Sequence, residues 1–294
     1  MSKKSLPFLF ISIFIIFFHF DRTKNFAKSL QDDTSEIIIF EKLKTHPEKP
    51  GWGHEVELWM IHHDGTNLKQ LTHGHRDNDP AWSPDRQRIA FSRDNDGIYT
   101  IKYDGTDLRR VTGSYRCHYP QWLRDNRILF SVNKGPEKEF RQKWRLYEVD
   151  IDTKQEKMID LGMPGIFSVR VSPDQKYMAF TAGEKNVYIA DINGKEVRKL
   201  KVLKSPEEGF PQVLYPDGKY LLVVQGTSCL KVSIDGTKAE RIGGVAACNM
   251  TWSPDGSQAV YEYKNEIWIM DANGQNKRLL AKPADDSHYA KPVW

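Results

Sequence analysis

Four histidines come nearest to a reactive centre in this 294-residue sequence: His73, His75, His118 and His288. Neutral imidazoles in a His-x-His pair with a third histidine and an open coordination position suit Zn²⁺, Mn²⁺ or a similar divalent ion. Asp77 and Asp79 would add oxygen ligands, and Cys117 adjoins His118. No spacing among them is diagnostic of a ligand set, so the plainer reading is polar residues in loops. Arg76 and Arg116 stand six positions before Trp82 and Trp122 and would form a cationic rim for a carboxylate or sugar acid. The alternative is that they pair with Asp77 or Asp79. Three long segments each carry an aromatic fit to anchor a partner: Trp52 in 44–55, Phe140 in 133–145 and Phe210 in 203–211. Trp144, also in the second of these, begins a strand.

Other chemistries lack their residues. There is no Gly-x-Ser-x-Gly elbow. No glycine-rich phosphate loop opens a helix. The three cysteines, Cys117, Cys229 and Cys248, are too few for a disulfide scaffold. A Cys229–Cys248 bridge suits an oxidising compartment; the alternative is two small buried apolar side chains. With 39% hydrophobic and 12% aromatic residues the chain is not disordered, and a single long apolar run excludes a polytopic membrane protein.

That run begins the chain. Lys3 and Lys4 precede an apolar stretch from Leu6 to Phe20, and Ala27 and Ser29 fit a small-x-small cut before Leu30. Residues 1–29 are expected to be a signal peptide or an uncleaved N-terminal anchor, and 30–35 a linker. The leader holds five basic residues and one acidic, so it accounts for the whole formal charge of +4. The neutral body lacks the footprint of a nucleic-acid binder. The expected location is periplasmic or extracellular, with membrane contact only through the leader.

The elements that must position these residues are set by an internal repeat. AWSPDRQRIAF (81–91), QWLRDNRILF (121–130), RVSPDQKYMAF (170–180), VLYPDGKYLLV (213–223) and TWSPDGSQAVY (251–261) align, and Pro292-Val293-Trp294 matches Pro80-Ala81-Trp82. The Trp-equivalent positions are Trp82, Trp122, Val171, Leu214, Trp252 and Trp294, spaced by 40, 49, 43, 38 and 42 residues. In the same phase recur tight turns: Asp64-Gly65, Asp104-Gly105, Asp152-Thr153, Asn193-Gly194, Asp235-Gly236 and Asn273-Gly274. Four strands per period make a propeller blade. The first blade lacks its innermost strand, and HYAKPVW (288–294) is left over at the other end. The expectation is an all-β, six-bladed propeller of four-stranded antiparallel blades over 36–294, with the C-terminal strand completing the first blade. Blades two to six would begin near Pro80, Pro120, Ser168, Pro211 and Asn249, which places His118 in a connection.

Trp-Ser-Pro-Asp-Gly followed by Ala-Val-Tyr, and its variants, resemble the TolB-type, WD-repeat-like propeller repeat. The resemblance covers roughly 36–294, without room for the N-terminal domain of TolB. Blade three lacks the Pro and Gly of the turn, Arg86 and Gln175 stand where Gly is usual, and Tyr215 replaces Ser. The resemblance is specific for fold and weak for function. The residues themselves point to a rigid, non-catalytic scaffold that binds a protein or cell-envelope component on the face carrying the long loops, through Trp52, Arg76, Arg116, His118, Phe140, Phe210 and His288. No cofactor is expected on this reading. Related oligogalacturonide lyases carry a histidine-rich metal site on that face. The alternative is accordingly a metal-dependent lyase or hydrolase of an acidic saccharide, using His73, His75, His118 and His288.

Overall fold

The structure is a computed structural model that describes residues 33–45, 54–113, 115–133, 143–183, 186–201, 203, 209–244 and 250–294. The leader, Trp52, Phe140 and Cys248 lie outside the described residues. Among the described residues no helix is long and apolar enough to cross a membrane.

Six four-stranded antiparallel sheets follow one another along the chain. The first contains β1 (Ile37–Thr45), β2 (His54–His62) and β3 (Lys69–Gln70). The second is β4 (Asp77–Trp82), β5 (Arg88–Arg93), β6 (Gly97–Lys102) and β7 (Arg109–Arg110). The third is β8 (Arg116–Trp122), β9 (Arg127–Asn133), β10 (Trp144–Asp150) and β11 (Glu156–Ile159). The fourth is β12 (Phe167–Val171), β13 (Tyr177–Ala182), β14 (Asn186–Asp191) and β15 (Arg198–Lys199). The fifth is β16 (Gly209–Leu214), β17 (Tyr220–Gln225), β18 (Ser228–Ser233) and β19 (Ala239–Gly244). The sixth is β20 (Met250–Trp252), β21 (Gln258–Tyr263), β22 (Glu266–Asp271) and β23 (Arg278–Ala281). β24 (His288–Val293) then pairs with β1, Ile39 opposite Val293 and Leu43 opposite His288, and completes the first sheet. This is the expected six-bladed propeller, closed by its two ends.

The turns fold as their residues dictate. Asp64 and Asp104 each accept the Thr66 and Thr106 amide at 2.8 Å, and Gly65 and Gly105 take φ of 93° and 88° between them. In the first-to-second strand turns, Ser83 Oγ donates to Asp85 Oδ1 at 2.6 Å and accepts the Arg88 amide at 2.9 Å. The same hydroxyl–carboxylate bond recurs at Ser172–Asp174 and Ser253–Asp255. Arg86, Asn126 and Gln175 hold the left-handed position that Gly218 and Gly256 hold elsewhere, with φ of 55°, 61° and 58°. Two of them join blades. Arg86 donates to the Thr34 and Ile37 carbonyls at 2.8 Å, and Gln175 Oε1 accepts the Arg124 amide at 2.8 Å.

The innermost strands carry a bulge. Asn78 pairs with Ser92 and Ala81 with Ala90, so Asp79 and Pro80 together face the single residue Phe91. The same happens at Tyr119-Pro120 opposite Phe130, Ser168-Val169 opposite Phe180, and Lys291-Pro292 opposite Phe40. These four phenylalanines are among the largest fully buried side chains and fill the space between blades. The bulge explains the difference from the expected strand starts. It lets a strand pass through a proline, which has no N–H to give the ladder, so β4 and β8 begin at Asp77 and Arg116. His118 and Cys117 therefore lie within a strand and not in a connection.

A candidate ligand site in the propeller channel

The bulge decides what faces the channel. Three positions before each Trp mark stand Asp79, Tyr119, Ser168 and Lys291, and all four are left-handed, with φ of 56°, 55°, 57° and 45°. For non-glycine residues this costs about 1–2 kcal/mol each. Such strain is characteristically retained at sites of function. The following proline disfavours right-handed helical geometry at three of the four.

Lys291 lies at the centre of a charged cluster. Its Nζ is 2.8 Å from Asp79 Oδ1 and 3.3 Å from Glu41 Oε1. Both carboxylates are buried, at 6% and 2% side-chain exposure, whereas Lys291 is 39% exposed. Glu41 Oε1 also accepts the Asp79 amide at 2.7 Å. Asp79 Oδ2 takes His118 Nδ1 at 3.1 Å. Burial opposes the charge on Asp79, but Lys291 and His118 outweigh it and hold the carboxyl well below the usual range. His118 Nδ1 must then carry the proton in that contact. Burial pushes Glu41 up to about 7, against the pull of Lys291 and with Asp79 adding to the rise. Burial works against the Lys291 charge too, yet Asp79 and Glu41 hold its ammonium above the ordinary lysine range. The cluster draws on β24 and β1, on β4 and on β8, so it clamps three consecutive blades.

The far wall is different. Arg170 Nε donates to the Gln212 carbonyl at 2.6 Å and Nη1 to the Val169 carbonyl at 2.9 Å, and its guanidinium lies 5.2 Å from the Tyr119 ring centre. Burial draws its pKa down, with Tyr119 and Asp79 supporting the charge. Above it runs an aromatic arc. Ring centres are 5.4 Å apart for His118–Trp144 and for Tyr119–Phe167, and 5.7 Å for Phe167–Phe210. Asp79, Tyr119, Arg170, Phe210 and Lys291 line a cavity of about 580 Å³. Trp82, Trp122 and Trp294 line it further along, with Pro84 and Pro173 of the first-to-second strand turns. It therefore extends toward the face opposite the inter-blade connections.

The residues singled out from sequence are dispersed over this frame. Phe210 lines the cavity and His118 joins the charged cluster. Arg76 and Arg116 occupy equivalent places at the entrance of their strands. They reach Asp94 and Asn95 at 3.1 Å, not Asp77 or Asp79; Asp77 is held by Arg93 at 2.7 and 2.9 Å. His73 and His75 are exposed between β3 and β4, and His288 is exposed at the start of β24. Among the described residues no group of three or more His, Cys, Asp or Glu side chains is placed to hold a metal ion. Cys117 and Cys229 are buried, and Trp144 begins β10, buried. Lys291, Glu41, Arg170 and Phe167 were not singled out. The signal for Lys291 was its register, three before Trp294; Glu41 carries none, because it sits in a second strand.

Six four-stranded blades, with the first completed by the last strand, define a six-bladed β-propeller. No protein-family model matches the sequence, and no curated protein matches it. Solved structures do share the fold. TolB from Acinetobacter baumannii is 20% identical over 93% of this chain and 70% of its own, with a TM-score of 0.70. A protein described as TolB from Agrobacterium tumefaciens is 17% identical over 83% of this chain and 88% of its own, with a TM-score of 0.62. An oligogalacturonate lyase in complex with manganese is 14% identical over 86% of this chain and 75% of its own, with a TM-score of 0.54. At these identities the likeness is one of fold.

Proposed function

We propose that this protein is an exported propeller that binds a protein or cell-envelope component as a rigid scaffold. The carrying observation is the aromatic arc of His118, Tyr119, Phe167 and Phe210, half-buried at the channel wall and backed by buried Trp144. Aromatic side chains dominate binding hot spots because they bury much area at little entropic cost. The strands beneath hold them rigidly, so binding needs no ordering of the platform. The TolB-type fold supports a scaffold role, and the leader supports export.

The test is recovery of the partner from source cells by the tagged, full-length chain, side by side with a Phe167→Ala/Phe210→Ala variant. One partner in near-stoichiometric amount with the parent chain and its loss with the variant is the expected result. Equal recovery by both chains would remove the arc as the contact. The N-terminus of the recovered protein, read by mass spectrometry, separates a mature chain starting at Leu30 from an anchored one.

A further inference from the structure

The six innermost strands hold few acids. Among their described residues only Asp77 and Asp79 are acidic. Asp77 is engaged by both Arg93 nitrogens, and Asp79 by Lys291 and His118. Glu41, which reaches in from β1, is engaged by the same Lys291. Arg170 has no carboxylate partner among the described residues. Its observed acceptors, the Gln212 and Val169 carbonyls, carry only partial charge. Asp79 supports the charge only from beyond contact distance, and a guanidinium drawn out of bulk water with no carboxylate bonded to it is unfavourable. Here it lines a cavity of about 580 Å³, the size that accepts a small organic molecule. The walls are of two kinds. Tyr119, Trp82 and Trp122 line the cavity with aromatic side chains, and Gln121, Gln212 and Ser168 with polar ones. Left-handed Ser168, two residues before Arg170, and left-handed Tyr119, whose ring centre is 5.2 Å from the guanidinium, add the local strain expected of a shaped site.

We propose that the channel cavity is a binding site for a small carboxylate, with Arg170 as its anchor. The guanidinium spends Nε and Nη1 on main-chain carbonyls and presents its remaining N–H groups to the ligand. A planar carboxylate matches that fork. The ligand body stacks on the aromatic wall. The cavity shares Tyr119 and Phe210 with the aromatic arc, but its anchor is Arg170, and the comparison of charged and neutral probes tests it apart from partner recovery.

The test uses the mature chain and four probes by calorimetry: benzoate and its neutral isostere benzamide, and galacturonate and its neutral counterpart galactose. The expected result is that at least one carboxylate binds at millimolar concentration or tighter and its neutral counterpart binds about tenfold or more weakly. Benzoate preference indicates an aromatic acid and galacturonate preference a sugar acid. Arg170→Lys retains a weakened, less directional interaction, and Arg170→Met abolishes the preference for the charged member of the pair. Arg170 also joins blades four and five, so folding of each variant is checked by thermal melt; the comparison of charged and neutral probes on the parent chain needs no variant. No binding of either carboxylate, equal binding of charged and neutral partners, or displacement of the bound acid by equimolar chloride overturns the proposal.

Discussion

Lys291 and Asp79, 212 positions apart in sequence, meet at 2.8 Å across the junction where the ring closes. The contact links the closing strand to the second blade, and Asp79 passes the link to His118 of the third. Lys291→Met leaves two buried carboxylates without their cation. Breaking a buried pair costs about 3–5 kcal/mol, and the partial exposure of Lys291 brings the expected loss to about 2–3 kcal/mol. Lys291→Met/Asp79→Asn should lose less than the sum of its single changes, which a double-mutant cycle in urea measures directly.

Glu41 gives stability a pH dependence of unusual sign for a carboxylate. Its folded pKa of about 7 lies above the ordinary value, so the native state binds the proton more tightly than the unfolded chain does. Its contribution is fully present below the unfolded pKa, and it declines as pH rises through about 7. The full shift is worth roughly 3 kcal/mol. Asp79 has the opposite sign, but its folded pKa is depressed, so it is ionised in both states across this window. The unfolding free energy from urea titrations should therefore fall by roughly 2–3 kcal/mol between pH 5 and pH 8, and Glu41→Gln should flatten the profile. A flat profile in the parent chain would show that Glu41 is ionised throughout.

The turn positions separate dihedral cost from contact. Gly218 has φ of 66°, and among the described residues nothing beyond its chain neighbours lies within 4 Å of where a Cβ would stand. Gly218→Ala should therefore cost about 1 kcal/mol through backbone conformation alone. Arg86 has nearly the same φ, yet Arg86→Gly should also destabilise, by about 1–2 kcal/mol. The gain in backbone freedom is outweighed by the loss of two bonds to blade one and of the stack on Trp82 at 4.3 Å. Thermal melts of both variants check the pair.

Trp294 fastens the closing strand. Its indole N–H donates to the Ser35 carbonyl at 2.6 Å, its amide to Thr251 Oγ1 at 2.9 Å, and its ring stacks on His63. Trp294→Ala should cost about 2–3 kcal/mol, less than a fully buried Trp because the ring is half exposed. Removing 288–294 altogether strips β1 of a neighbour and leaves an open edge. In size-exclusion chromatography the truncated chain should then elute as a larger species than the parent chain.

The blade count and the closure were legible because both follow from local chemistry repeated in phase: Asp-Gly turns, Ser-Pro-Asp turns and the Trp mark. The substitutions of Gly by Arg86 and Gln175 read as weakened turns, since their compensation lies in another blade, about fifty residues away. The site was less legible. Phe210 and His118 were within reach as aromatics near a strand start. The pairing of Asp79 with Lys291 depends on a bulge that turns both residues toward the channel, and nothing in either residue's neighbourhood spells that out. Arg170 carries no mark of its own in the sequence; what sets it apart is the absence of acids on the neighbouring innermost strands, β8 and β16.

Trp294 and Ser35 are bonded across 259 positions, and this sets the order in which the molecule can be finished. A chain delivered from its N-terminus emerges with β1 bare on one side, and that side stays bare until the last strand arrives. Loop closure of this length is slow relative to hairpin formation. The five blades made wholly of neighbouring strands can assemble during delivery, while the first waits. Each molecule thus passes through a stage in which the β1 edge is open to pairing with another chain, a stage that ends only when the last strand docks.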